Sequence, residues 1–338
     1  MTVQQQATVA PMDRPGLAAA VQDALADAGA AVVGIDVAMS PYSTSFRIED
    51  VTATLADGSQ RALILKDLSW DTMLEGARGI RDHEGHDPRR EADVYTRLLP
   101  HAPAGPPMLL GHLDDAASGG HWLLLERIEG LQLRHVGERD VWLRAMSWAG
   151  AFHAEFARPE RLAAAAEIRL PTWDADRLRL SMAQAEHAHP GPAMKDVAKV
   201  HERVVARLAG AAPTVVHGQL YPSNIVVADG PEPRRVAALD WETAAIGAGV
   251  LDLAALVEGD WTPADRTAFV TAYLQGAGGA YLQGAGGGDL ESTLLDLACA
   301  RLHLCLELLG LPAGFDPPAD VAADWLDRAV SLTKELPW

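Results

Sequence analysis

VVHGQLYPSNIVVADGPEPRRVAALDWETAAIGAGVLDLA, residues 215–254, is the stretch on which the reading of this chain turns. An apolar strand end delivers His217-Gly218-Gln219 into a loop, and Asn224 follows five residues after Gln219. A short hairpin then returns Asp240 at the end of a second apolar strand. Asn224 and Asp240 supply one neutral and one anionic oxygen, which suits a hard cation such as Mg2+ bridging nucleotide phosphates. Taken singly they read as turn and strand-end residues. Their spacing to His217 is what favours the metal role.

Kinase loops follow H-R-D-L-x-x-x-N with a metal-binding Asp further on. This chain has H-G-Q-L-Y-P-S-N and then D-W-E. The segment resembles the catalytic and metal loops of the aminoglycoside phosphotransferase family, the small-molecule branch of the kinase-like fold. That family reads H-G-D-x-x-x-x-N, then [ILV]-D-[FW]-E, with G and D-L-A downstream, here Gly247 and Asp252-Leu253-Ala254. Lys66 in LILKDL resembles the strand lysine that holds the α- and β-phosphates, and Glu91 in RREADVY resembles its helix partner. LLLERIEG (123–130) resembles the hinge whose backbone holds the adenine, which points to Glu126 and Ile128. WAGAFHAEF (148–156) resembles the helix that precedes the catalytic loop. The resemblance implies ATP or another purine nucleoside triphosphate, with Mg2+ on Asn224 and Asp240. It makes Gln219, His217, Asn224 and Asp240 the catalytic set. Within that set His217 braces the loop, and Asp252 is a buried acceptor for loop N–H groups.

Three positions depart from the family pattern. Gln219 stands where the family has its catalytic Asp, and an amide orients a hydroxyl but takes up no proton at neutral pH. The nucleotide loop between the first two strands is SPYSTS (40–45), without a Gly-rich sequence. There the hydroxyls of Ser43, Thr44 and Ser45, with backbone N–H groups, are the candidates to line the phosphates. Tyr221 stands where many relatives have His.

Outward from the loop, the chain divides by pattern. Leu17, Val21 and Leu25 at four-residue spacing predict a short amphipathic helix over 16–28. VVGIDVA (32–38), FRIEDVTATL (46–55) and RALILKDL (61–68) read as strands, the last two joined through Asp57-Gly58. RREADVYTRLL (89–99) is helical up to Pro100, and PMLLGHL (107–113) and HWLLLERIEG (121–130) are strands around a Ser118-Gly119-Gly120 turn. Beyond residue 138, helices are predicted over 139–157, 174–188, 193–209, 249–258, 263–274, 291–309 and 319–334. Between them lie the strands NIVVAD (224–229) and RVAALDW (235–241). The fold class is therefore α+β in two lobes. An antiparallel sheet with a helix spans 1–130 and binds nucleotide, and a helical lobe over 131–338 carries the catalytic and metal loops.

Forty-six acidic against 28 basic residues leave a formal charge of −18, a surface that repels phosphate backbones and anionic lipid headgroups. Nucleic acid and membrane are excluded as partners on that ground, and the excess suits a cationic acceptor. The first residues, MTVQQQATVAPMDR, lack the charge and apolar run of an export signal, so a cytoplasmic protein is expected. LLDLACARLHLCLELLG (294–310) is too polar and too short to span a bilayer. Cys299 and Cys305, offset by about 9 Å and about 240° on one helix, form no disulfide with each other. They read, with His303, as buried packing rather than as a zinc site. DHEGHD (82–87) lacks metal-site spacing and reads as a solvated loop. AYLQGAGG occurs twice in tandem over 272–287 and reads as a duplicated segment that lengthens a Gly-rich loop.

The expected function is phosphoryl transfer from ATP, with Mg2+, between two lobes to a hydroxyl of a small molecule or natural-product intermediate. The rival is a pseudokinase that binds nucleotide or a partner without transfer. A third reading is a kinase of peptide Ser or Thr in natural-product maturation. The sequence leaves the oligomeric state open.

Overall fold

The computed structural model describes residues 16–26, 31–43, 45–78, 86–115, 120–284, 289–311 and 319–338. The chain forms two compact units: Met1–Ala92 with Pro107–Ile128, and Asp93–Pro106 with Glu129–Trp338.

The first unit is built on five strands: β1 (Val32–Met39), β2 (Arg47–Leu55), β3 (Gln60–Asp67), β4 (Leu109–Asp115) and β5 (Gly120–Glu126). They lie in the order β1-β2-β3-β5-β4, every neighbour antiparallel. The β2–β3 register is set at the turn, where Asp57 accepts the Ser59 N–H at 2.9 Å and Gly58 takes a φ of 84°. The period-two pattern of β2 sends Val51, Ala53 and Leu55 to one face. There they pack with Leu63, Leu65, Trp122 and Leu124 beneath Leu17 and Val21 of helix α1 (Leu17–Ala24) and Leu25 just after it. Lys66 belongs to the other face. Two short helices, α2 (Glu75–Arg78) and α3 (Arg89–Asp93), complete the unit.

The segment 93–106, which sequence order puts in the first lobe, packs with the second unit. It continues α3 as a π-helical turn over Val94–Leu98. Arg97 pairs with Glu167, and Arg235 donates to the carbonyls of Gly105 (2.9 Å) and Pro106 (2.6 Å).

The second unit holds a three-stranded sheet, β6 (Gly130–Gln132), β8 (Ile225–Ala228) and β9 (Val236–Ala238). It also holds a two-stranded one of β7 (Pro213–Val216) and β10 (Ala245–Ala248). Around them stand α4 (Arg139–Phe156), α5 (Pro159–Glu167), α6 (Ala175–Ala188), α7 (Pro192–Ala209), α8 (Val250–Leu256), α9 (Pro263–Gly284), α10 (Leu290–Leu309) and α11 (Ala319–Glu335). The sequence pattern missed α5. PERLAAAAE folds as a helix through alanine propensity with Pro159 in its first turn, and Ala165 is its one buried residue.

The tandem segment is a second correction. Its first copy is helical, inside α9, which runs through a non-helical Gly278 to Gly284; residues 285–287 lie outside the described residues. The copy is helical because α9 packs against α4 almost backbone to backbone. A Cβ at Gly150 would lie 2.0 Å from the Tyr273 carbonyl oxygen, and one at Gly276 would lie 1.9 Å from that of Ser147. The glycines here permit contact between helices rather than a loop. Among the described residues no helix is long and apolar enough to cross a membrane.

Candidate active site

The loop after β7 is held from below by Asp252, at the start of α8. One carboxylate oxygen accepts the His217 N–H at 2.6 Å and the other the Gly218 N–H at 2.9 Å. The first of these oxygens also lies 3.1 Å from Nε2 of His153 on α4, whose Nδ1 lies 3.0 Å from the Tyr273 hydroxyl on α9. Asp252 is 1% exposed and His153 is fully buried. Gly218 has a φ of 84°, and a Cβ there would meet the Thr243 carbonyl oxygen at 2.3 Å, so glycine alone fits.

Above this base the loop ties itself to the strand that carries Asp240. His217 Nε2–H donates to the Leu239 carbonyl at 2.7 Å, and its Nδ1 accepts the Gln219 N–H at 3.3 Å. Both ring nitrogens are thus committed, which gives the buried ring a bracing role beside Trp241, 4.5 Å between centroids. The Asn224 carbonyl accepts the Leu239 N–H at 2.8 Å, and Asn224 Nδ2 donates to the Gln219 carbonyl at 2.9 Å. That orientation leaves Oδ1 without a hydrogen bond among the described residues. Asp240 is half-buried with φ 67° and ψ 64°, a left-handed conformation that Asp tolerates better than most residues. One amide oxygen and one carboxylate on adjoining loops are oxygen donors of the kind Mg2+ takes, with phosphate and water oxygens completing its shell. The residues fit such an ion. Among the described residues no cluster of three or more His, Cys, Asp or Glu could hold a metal on side chains alone. The Gln219 side chain is exposed, its backbone carbonyl accepting from Tyr221 N at 2.7 Å and from Asn224. Burial, reinforced by Glu307 and Glu258, pushes the Tyr221 phenol up.

In the first unit, Lys66 Nζ lies 2.7 Å from Glu91 Oε2, with side chains 6% and 1% exposed, and 5.2 Å from the Phe46 ring centroid. Ile128 makes no backbone hydrogen bond among the described residues, so its N–H and C=O are open. Glu126 is committed: its N–H donates to the Met108 carbonyl at 2.9 Å and its carboxylate accepts the Met108 N–H at 3.0 Å. The Ser43 hydroxyl is engaged inside its own turn. It donates to the Ile48 carbonyl and accepts the Ile48 N–H, both at 3.0 Å, and the residue is 6% exposed. Thr44 lies outside the described residues, and Ser45 uses its carbonyl to accept Leu74 N–H at 3.0 Å.

Two side features resolve differently. His86, placed in a solvated loop by the sequence, bonds the Leu68 carbonyl at 2.9 Å and packs on Phe46 and Trp70; residues 82–85 of that stretch lie outside the described residues. Cys299 and Cys305 are free and buried, and burial pushes both thiols up to about 12. His303 is buried between them on α10, and burial pulls its imidazole down to about 3.

A model of the phosphotransferase enzyme family matches residues 55–287. The fold is similar to that of an aminoglycoside 2'-phosphotransferase-IIIa solved with GDP (TM-score 0.56, 13% identity, 95% of this chain and 98% of that one). It is also similar to a microcompartment-associated aminopropanol kinase (0.59, 13%, 89% and 90%) and to the macrolide 2'-phosphotransferase MphH of Brachybacterium faecium (0.51, 19%, 91% and 98%). No curated protein matches the chain.

Proposed function

The chain belongs to the phosphotransferase enzyme family, and from that premise we propose that it transfers the γ-phosphoryl group of ATP, or of another purine nucleoside triphosphate, to a hydroxyl of a small molecule or natural-product intermediate. The buried Lys66–Glu91 pair carries this reading. For stability alone such a pair is often no better than apolar side chains, whereas holding nucleotide phosphates accounts for its burial. Residues 1–130 serve the nucleotide, and residues 131–338 serve the metal and the acceptor, in a cytoplasmic setting. The open backbone groups of Ile128 match an adenine edge. Mg2+, when bound by Asn224 and Asp240, would neutralise charge on the phosphate oxygens.

Gln219 orients the acceptor hydroxyl through its amide oxygen. The acceptor oxygen forms its bond to phosphorus as the bond to the bridging oxygen breaks, and the nucleoside diphosphate leaves with that electron pair. The hydroxyl proton goes to water, because an amide does not take it. A loose transition state keeps the acceptor hydroxyl from needing early deprotonation. A missing base typically costs about 10²–10⁴-fold, so the enzyme on this reading is slow. Gln219 also favours the second reading, a protein that binds nucleotide without transferring phosphate.

Thermal shift with ATP and Mg2+, followed by ADP release over a panel of amino alcohols, sugars and a Ser/Thr peptide, tests the proposal. Millimolar nucleotide at micromolar affinity stabilises by about 4 kcal/mol. A shift with acceptor-dependent ADP release supports transfer, with the responding acceptor separating small molecule from peptide. A shift with no release from any acceptor supports the binding-only reading, and no shift with any purine nucleotide rejects both.

A further inference from the structure

The network beneath the loop after β7 reaches a third helix. His153 stands on α4, Asp252 on α8 and Tyr273 on α9, and all three are buried, Tyr273 being 2% exposed. The Tyr273 hydroxyl lies 3.0 Å from His153 Nδ1, and among the described residues that nitrogen has no other hydrogen-bond partner. Gly249, at the start of α8, keeps the space for this contact. A Cβ there would lie 2.6 Å from the Tyr273 hydroxyl and 2.7 Å from Nδ1. The Thr214 hydroxyl on β7 donates to the His153 carbonyl at 2.8 Å, which pins α4 to the strand that leads into the loop.

The direction of each proton follows from the partners. The Asp252 oxygens accept the His217 and Gly218 N–H groups, and a carboxylate has only acceptors to offer. Nε2 of His153 therefore donates to Asp252, and Nδ1 of the neutral ring takes the Tyr273 O–H. An imidazole flipped about χ2 would set a carbon against Asp252, and the Tyr273 hydroxyl stabilises the unflipped ring. The carboxylate torsion of an aspartate is soft. A third donor on Asp252 fixes the plane in which it meets both backbone N–H groups.

We propose that Tyr273 is a positioning residue for phosphoryl transfer: its hydroxyl sets the tautomer and rotamer of His153, and through His153 the plane of the Asp252 carboxylate that holds His217 and Gly218. Gln219 follows directly in the chain, so the side chain assigned to the acceptor hydroxyl is placed from α9, by a residue that touches neither nucleotide nor acceptor. Small displacements suffice, since a misplacement of about 1 Å at a reacting group costs on the order of 10²-fold. The kinetic consequence rests on the transfer reading above; the effect on the loop backbone does not.

Three measurements on the full chain test the assignment. Nitrogen spectra with isotope-labelled histidine, His153 being identified by its loss in His153→Gln, should show the neutral Nε2–H tautomer. An Nδ1–H tautomer or an imidazolium would overturn the assignment, because neither accepts the Tyr273 proton. Hydrogen–deuterium exchange at the His217 and Gly218 amides should be faster in Tyr273→Phe, which keeps the ring, and unchanged exchange would overturn it. Gly249→Ala intrudes on the same contact and should also speed exchange, which keeps the test open if Tyr273→Phe does not fold. On the transfer reading, Tyr273→Phe should lower kcat for ADP release about tenfold while KM for ATP stays within about twofold. In a His153→Gln background the same change should have no further effect. Equal losses in both backgrounds would show that Tyr273 acts by packing alone and would overturn the proposal. If no acceptor gives ADP release, the transfer reading has failed, and the spectrum and the exchange decide the role of Tyr273 without it.

Discussion

His153 and Asp252 meet at 3.1 Å in the interior of the second unit, and the Asp252 oxygen that faces His153 is the one that accepts the His217 N–H. Helix α4 is thereby bonded to the loop after β7 through a single buried atom. Removing the carboxylate orphans two backbone N–H groups and an imidazole together. Asp252→Ala should cost about 3–5 kcal/mol in urea denaturation. Asp252→Asn, which retains one acceptor oxygen, should cost less. Equal stabilities of wild type and Asp252→Ala would refute the bracing role.

Lys66 and Glu91 permit a cleaner separation of stability from function. Lys66→Met leaves the buried Glu91 without its cation and should destabilise by about 3–5 kcal/mol. The double variant Lys66→Met/Glu91→Leu should recover most of that loss while nucleotide-induced stabilisation stays low. A double variant as unstable as the single one would show that the two charges are not coupled.

Gln219 sets the rate on the transfer reading. Gln219→Glu and Gln219→Asp supply a proton acceptor and should raise acceptor-dependent ADP release about tenfold to a hundredfold. Gln219→Ala should lower release while ATP affinity is unchanged, because the exposed side chain serves the acceptor. A wild type faster than both carboxylate variants would show that the amide has a chemical role of its own.

His303 and Glu307, 3.8 Å apart, give stability a pH signature of opposing parts. Burial holds His303 at about 3, so its contribution is complete above 6.5 and is lost as pH falls from 6.5 towards 3, at about 1.4 kcal/mol per unit. Burial raises Glu307 to about 7, so its contribution is complete below 4.5 and is lost as pH rises through 7. Between 4.5 and 6.5 the two cancel. Urea denaturation of Glu307→Gln against wild type should show a gap that widens as pH rises from 4.5 to 7. His303→Leu should show one that widens as pH falls below 6.5. Gaps independent of pH would contradict both assignments.

The sequence was most legible where spacing is imposed by chemistry. His217, Asn224 and Asp240 sit at intervals fixed by one loop and one hairpin, and Lys66 and Glu91 stand on elements that their patterns identify. Ser43 was less legible, because a hydroxyl suited to phosphate is equally suited to the Ile48 backbone it bonds, and composition does not distinguish the two. Tyr273 was invisible for another reason. Its partner His153 is 120 residues away, and the repeat around it looked like a loop. Alanine-rich α5 is short and has Leu162 as its one large apolar side chain, so no run of large apolar residues marks it as a helix.

The repeated octapeptide also bears on how α9 finds its place. A slide of the helix by eight residues along α4 would set Tyr281 where Tyr273 stands and Gly284 where Gly276 stands, so the duplicated sequence is degenerate with respect to that alignment. The choice is made upstream, by Phe269 and Val270, both fully buried. The same slide would replace them with Ala277 and Gly278 and empty the aromatic contact with Trp142 and Trp261. Two unrepeated side chains therefore act as the index mark of a helix whose remaining surface would accept more than one setting.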